Sequence, residues 1–259
     1  ALTRGGPVNC MTFGPDRVDE AFTARVRRFV ESEDGWLGVV LHGLDGEGWG
    51  TISEAALAGG VDRLLAAGVA VWRVWRKRGG AQPVFLAGHS LGEYTALVCA
   101  NALALPAAAR LVAERGRYMQ AAVPAGRGAM AAILGLTDEQ VVAACDQSAQ
   151  GEVVSAVNFN SPGQVVIAGH SSAVSRAVEV AKQLGAKRAV MLPVSVPSHC
   201  SLMEPAAERL ADYLRDIEIN RPDLPVFNNV DAITTNEPQA IREALIRQLK
   251  SPVRWVESI

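Results

Sequence analysis

The stretch from residue 83 to residue 94, Pro-Val-Phe-Leu-Ala-Gly-His-Ser-Leu-Gly-Glu-Tyr, limits what this chain can fold into more than any other. Val84, Phe85, Leu86 and Ala87 form a short apolar run suited to a buried strand. Gly88-His89-Ser90-Leu91-Gly92 makes a tight corner, and Glu93 to Ala100 reads as the helix that follows. A strand turning sharply into a helix puts Ser90 at an elbow on a parallel sheet and predicts an α/β chain.

A serine hydroxyl is a poor nucleophile until a base takes its proton and donors receive the developing oxyanion. The Leu91 N–H, next in the chain and at the positive end of the following helix, is the expected donor. Gly88 and Gly92 are expected to let the backbone close around the serine. His89, inside the corner, either orients the loop or borders the pocket.

The base is sought among the histidines. His199 follows Pro193 and Pro197, which hold its loop extended, and precedes an amphipathic helix expected from Ser201 to Ile217. A lone histidine is ordinarily structural, and the elbow serine upstream is what selects this one as a catalyst. No aspartate follows a strand between Ser90 and His199. Asp138 and Asp146 lie in or beside a helix, so the acid of a hydrolase triad finds no place there. Cys200 reads as packing and His170 as structural.

A helix expected from about Pro106 to Val123 carries Ala108, Leu111, Val112, Tyr118, Met119 and Ala122 on one apolar face. Arg115 falls in the middle of that face, and a guanidinium buried there demands an anion. Periodicity alone favours a buried ion pair or a snorkelling side chain over a fork that grips a substrate carboxylate.

Four cysteines without metal-ligand spacing argue against structural zinc, and no metal site is expected. A formal charge of −2 carries no basic excess of the kind that marks nucleic-acid binders. No apolar run approaches the roughly 18 residues of a membrane helix, and residues 1–6 are not a secretory core. The expectation is a cytoplasmic protein without nucleic-acid or membrane partners.

In chain order, residues 17–33 show helical spacing and residues 36–44 read as a buried strand. Leu64 to Arg76 reads as a helix beside the elbow. Its basic end, Arg76-Lys77-Arg78, complements the helix dipole, or alternatively meets an acidic partner protein. Between Gly128 and Pro193 the pattern runs strand, helix, strand, strand, helix, strand, with Thr137 and Gln140 as a capping box and Gly185 closing the second helix. This order predicts a ferredoxin-like small domain inserted into the larger one. Near its hairpin, Asn158, Asn160 and Gln164 either line a substrate cleft or, for Asn160, build the Asn-Ser-Pro-Gly turn.

Gly88-His89-Ser90-Leu91-Gly92-Glu93-Tyr94 resembles the nucleophile motif of malonyl-CoA:acyl carrier protein transacylases, relatives of polyketide acyltransferase domains. Arg115 to Gln120, Asn158 to His170, Val194 to Cys200 and Arg247-Gln248-Leu249 are similar to that family in order and spacing. The likeness covers residues from about 64 to the end. It implies an α/β-hydrolase-like large domain, residues 1–126 and 195–259, with the ferredoxin-like domain at 127–194. It also implies malonyl transfer from malonyl-CoA to acyl carrier protein in fatty-acid synthesis, through an ester on Ser90. In this reading His199 is the base, held by a backbone carbonyl in the segment that Gln248 marks, and Arg115 holds the malonyl carboxylate. His89 and Asn160 join Arg115, Leu91 and Gln248 around the substrate. No cofactor is implied beyond the coenzyme A of the substrate, and a monomer is expected.

The opening residues depart from the family. Its Phe-Pro-Gly-Gln-Gly-Ser-Gln loop, which supplies the second anion-hole donor, has no counterpart here, since no glutamine precedes Gln82. Beyond Ile259 the likeness implies a further strand and a Gly-Pro-Gly loop. The alternatives are a serine thioesterase or esterase using the same elbow, and an inactive carrier-binding module.

Overall fold

The computed structural model describes residues 54–194 and 196–259, with burial and side-chain detail from Leu65 onward. The helix expected at 17–33 and the strand expected at 36–44 lie outside the described residues. The rest is a mixed α/β arrangement: a helical half built from both ends of the described chain, and a sheet half between them.

The helical half contains α1 (Glu54–Lys77), α2 (Leu91–Cys99), α3 (Leu105–Ala122), and, after the sheet, α6 (Glu204–Leu214) and α7 (Pro238–Gln248). α3 packs against both α1 and α6, and its apolar stripe supplies the wholly buried Ala108, Leu111 and Val112. Leu65, Leu97, Leu210 and Leu245 close the core from the other helices, each burial stabilising by about 2 kcal/mol. The helix expected from Ser201 to Ile217 is broken into a 3₁₀ turn at Ser201–Met203 and α6, which starts one residue before Pro205. Proline fits a first turn because its missing N–H has no partner there.

The sheet half runs β1 (Gly128–Leu134), α4 (Asp138–Ala149), β2 (Val154–Ser161), β3 (Gln164–His170), α5 (Ser171–Gln183) and β4 (Arg188–Met191). All three ladders are antiparallel and the strand order is β2-β3-β1-β4. Thr137 and Gln140 form the capping box at the head of α4, and Gly185 ends α5 at φ 92°. Side-chain alternation splits the sheet into two faces. Ile133, Val165 and Ile167 meet Val141, Val174 and Val178 of the helices. Met130, Val166 and Ala168 point the other way and pack on Cys200, beside His199. The sheet is thereby a platform for the His199 loop.

Two expectations are corrected. Val84 to Ala87 do not form a strand among the described residues: Leu86 makes a single parallel bridge to Val226, with Leu86 N–H donating to Pro225 O at 2.9 Å and Phe227 N–H to Leu86 O at 2.9 Å. Val84 and Phe85 are 71% and 52% exposed, since no described segment pairs with them, and no parallel sheet forms among the described residues. Asn160 is not part of a turn either. It lies in β2, and the reversal falls at Pro162-Gly163, where Gly163 takes φ 75°. Among the described residues no helix is long and apolar enough to cross a membrane.

Candidate active site

Ser90 sits at the residue before α2 with φ 51° and ψ −106°, a conformation that costs a non-glycine residue about 1–3 kcal/mol. The turn is tight on one side only. A Cβ on Gly88 would lie 2.0 Å from the Gly92 carbonyl, so glycine is required there. A Cβ on Gly92 meets nothing within 4 Å, and the steric role expected for Gly92 is not found. Leu91 opens α2, where its N–H has no carbonyl one turn back to receive it.

What holds the elbow in place is a residue that the sequence did not point to. The side chain of Asn229, wholly buried, accepts from Ser90 N–H at 2.5 Å through Oδ1 and donates to Gly88 O at 2.8 Å through Nδ2. One amide thus clamps both arms of the turn. Asn229 is fixed in turn by its backbone N–H donating to Glu93 Oε2 at 3.0 Å.

His199 approaches from the loop that leads out of the sheet into the 3₁₀ turn at Ser201–Met203. Its Nε2 lies 2.9 Å from Ser90 Oγ, and its Nδ1 lies 2.7 Å from the Gln248 carbonyl oxygen. A carbonyl only accepts, so Nδ1 carries the proton and Nε2 presents its lone pair to the serine hydroxyl. The His199 N–H also donates to Leu249 O at 3.0 Å, which ties the loop to the end of α7. Burial, the Arg115 guanidinium and His89 outweigh the Gln248 carbonyl and push the imidazole down from 6.5 to about 3, so it is neutral at pH 7.

Arg115 is 6% exposed and forms no salt bridge with any described carboxylate. Both plain readings of this arginine, ion pair and snorkelling, therefore fail within the described residues. Its Nη2 donates to Ser90 Oγ at 3.1 Å and to Gln248 Oε1 at 3.2 Å, its guanidinium carbon lies 5.6 Å from the Tyr94 ring centre, and its Nε has no acceptor among the described residues. A buried, fork-shaped cation with a donor to spare, touching the Ser90 hydroxyl, can bind an anion beside that hydroxyl.

Gln248 joins these groups. Its carbonyl oxygen orients His199, its side-chain Oε1 meets Arg115, and its Nε2 donates to Ser90 O at 3.1 Å and to Glu93 Oε2 at 2.8 Å. His89 and Asn160 stand to one side. His89 Nε2 is 2.9 Å from Asn160 Oδ1, and the His89 ring packs edge-on to Trp255 at 5.4 Å, so the elbow is linked to β2. Ser90, His199, Arg115 and Gln248 are thus in mutual contact, whereas His89 and Asn160 bond to each other. Glu93 and Asn229 were missed: Glu93 reads only as a residue of the helix that follows the elbow, and nothing in Phe227-Asn228-Asn229-Val230-Asp231 signals a contact with Ser90. No cluster of metal-ligating side chains occurs among the described residues.

Three comparisons bear on this geometry. Residues 61–259 match the acyl transferase domain family. The malonyl CoA-acyl carrier protein transacylase of Salmonella typhimurium is 58% identical over 196 residues, which are 76% of this chain and 63% of the relative. The chain thus spans less than two thirds of that relative's length. Among solved structures, the malonyl CoA-acyl carrier protein transacylase of Coxiella burnetii superposes with a TM-score of 0.77 at 53% identity, over 78% of this chain and 64% of the other. A malonyl-transacylase solved in complex with its type II PKS acyl-carrier protein gives 0.77 at 55% identity, over 79% and 67%.

Proposed function

This chain belongs to the acyl transferase domain family, and we propose that it moves a malonyl group from malonyl-CoA to the phosphopantetheine thiol of an acyl carrier protein through an ester on Ser90. The observation that carries the reading is Arg115, a buried guanidinium with no carboxylate partner among the described residues and 3.1 Å from the nucleophile. A malonyl thioester has its free carboxylate two bonds beyond the reacting carbonyl, where such a fork meets it.

In this mechanism His199 Nε2 takes the Ser90 proton as Oγ attacks the thioester carbonyl. The oxyanion points to the Leu91 N–H at the head of α2. Collapse breaks the carbon–sulfur bond, and the imidazolium, steadied by the Gln248 carbonyl, returns its proton to the departing coenzyme A sulfur. The carrier thiol then repeats the sequence: His199 takes its proton, sulfur attacks the ester, and Ser90 leaves with that proton. Arg115 releases Ser90 Oγ for the malonyl carboxylate and keeps it through both halves. Coenzyme A enters as part of the thioester substrate and leaves as product, and the reaction needs no cofactor.

The same reading takes the β-α-β-β-α-β half, residues 127–194, as a ferredoxin-like domain inserted into an α/β-hydrolase-like one formed by residues 1–126 and 195–259. The strand order β2-β3-β1-β4 supports the first part, and the strained serine at the head of α2 supports the second. A cytoplasmic site of action suits the coenzyme A thioester.

Intact-mass measurement after mixing with malonyl-CoA tests the proposal. An adduct absent from Ser90→Ala, weakened in Arg115→Ala and discharged by acyl carrier protein is expected. Loss of the charged pairing corresponds to about 2–3 kcal/mol, a fall of roughly 30- to 150-fold in malonyl loading. Discharge by water alone would make the chain a thioesterase. No adduct at all would make it a carrier-binding module.

A further inference from the structure

Glu93 has no part in the acyl transfer proposed above, yet its side chain lies among the groups that perform it and is 2% exposed. Its Oε2 accepts from Gln248 Nε2 at 2.8 Å and from Asn229 N–H at 3.0 Å. The other end of the Gln248 amide accepts from Arg115 at 3.2 Å. A carboxylate at the NH₂ end and a guanidinium at the oxygen end decide which way this amide lies, because the flipped amide sets oxygen against oxygen and nitrogen against nitrogen.

The chain Arg115–Gln248–Glu93 also gives the buried cation a counter-charge one side chain away. The other charged and titratable groups that face Glu93 are Tyr94 on its own helix, Asp231 from the loop before α7, and Arg247 from α7. Asp231 and Arg247 bind each other through two hydrogen bonds of 2.8 and 2.6 Å and largely cancel. Arg115 is left as the charge that matters most to Glu93.

We propose that Glu93 is a positioning residue that serves as the resting counter-charge of Arg115 and takes up a proton from solvent when a substrate carboxylate binds the guanidinium; this rests on the carboxylate-clamp reading of Arg115. Charge counting carries the argument. Glu93 and Arg115 sum to zero at rest. A malonyl carboxylate makes the buried set negative, and one proton on Glu93 restores neutrality. Gln248 and Asn229 both donate to Oε2, so a proton on Oε1 leaves both bonds in place and the Gln248 amide still faces Arg115. Burial already pushes Glu93 up to about 7, against the lowering influence of Gln248, Asn229 and Arg115. Occupying Arg115 removes part of that restraint and moves the proton onto the carboxyl near neutral pH.

Calorimetry tests this with the Ser90→Ala chain, which binds thioesters without reacting. Malonyl-CoA and acetyl-CoA are titrated at about pH 7.5 in buffers of low and high ionisation enthalpy. Acetyl-CoA carries the same phosphates and cancels their titration. Malonyl-CoA is expected to take up about half a proton more than acetyl-CoA, for a shift of one pKa unit on Glu93. Its relative affinity should fall about tenfold between the acid and alkaline sides of that titration. Both differences should vanish when Glu93→Gln is added. Equal proton counts for the two thioesters, or a difference that survives Glu93→Gln, overturn the proposal. If Glu93→Gln does not fold, the comparison of the two thioesters still decides. An Arg115→Ala arm separates the two readings. If it abolishes the malonyl preference while the proton counts are equal, only the role of Glu93 falls. If it leaves the preference intact, the clamp itself falls.

Discussion

Asn229→Ala is the sharpest test of how the nucleophile is held. The substitution removes the bonds to Ser90 N–H at 2.5 Å and Gly88 O at 2.8 Å, both inside a residue that is wholly buried. Each backbone group left unpaired costs about 1–3 kcal/mol, giving about 2–6 kcal/mol in all. Relaxation of Ser90 out of φ 51° returns some of the strain, about 1–3 kcal/mol, so the net loss of stability should be about 1–3 kcal/mol. That relaxation moves Oγ off its 2.9 Å line to His199, and a displacement of about 1 Å costs roughly 100-fold in rate. Urea denaturation followed by circular dichroism reads the first number. Quenched single-turnover formation of the acyl-serine, on protein shown to be folded, reads the second. Asn229→Asp keeps the acceptor for Ser90 N–H, loses the donor to Gly88 O and brings a carboxylate against Glu93, so it should not rescue loading. An Asn229→Ala chain within 1 kcal/mol of the parent that loads at the parent's rate would refute the clamp.

Gly88→Ala forces a Cβ to within 2.0 Å of the Gly92 carbonyl and should abolish soluble, loadable protein, whereas Gly92→Ala enters open space in a helix and should raise stability by up to about 1 kcal/mol; similar unfolding midpoints for the two would contradict the asymmetry of the elbow. His199 is held neutral down to about 3, so the single-turnover acylation rate at saturating malonyl-CoA should stay level from pH 8 down through 6.5, the ordinary histidine value, and a break near 6.5 would count against the buried base. The same displacement has a cost in stability. The unfolded chain binds the proton below 6.5 and the folded one does not, so His199 should weaken the fold progressively as the pH falls from 6.5 toward 3. Urea midpoints across that range measure it.

Much of the architecture was legible because it is written in local periodicity. The apolar stripe of α3 placed Arg115 on a buried face, and α3 runs from Leu105 to Ala122, close to the expected limits. Thr137 and Gln140 marked the head of α4 within a four-residue window, and both capping bonds are present. The elbow glycine at 88 and the serine at 90 could be read because the corner they make is five residues long. Where reading failed, the deciding contact was remote. Leu86 pairs with Val226, and nothing in Val84 to Ala87 says that the strand will be reduced among the described residues to one bridge. Asn160 looked like a turn former until the tertiary structure brought its side chain to His89, 71 residues away.

The sequence alone determined which elements form and which residue types stand ready for chemistry: a serine at a tight corner, a histidine in a proline-bracketed loop, an arginine on an apolar helix face. Those follow from dihedral limits and from the 3.6- and 2-residue periods of helix and strand, which act over a few residues. Only the tertiary structure decided how the groups are wired. Asn229 grips the elbow from 139 residues away, and Gln248 spans 158 residues to reach Ser90 while its carbonyl fixes the His199 tautomer. The reason is physical. Hydrogen bonds among buried polar groups are obligatory because an unpaired one is costly, but which partners satisfy them depends on which segments packing brings together.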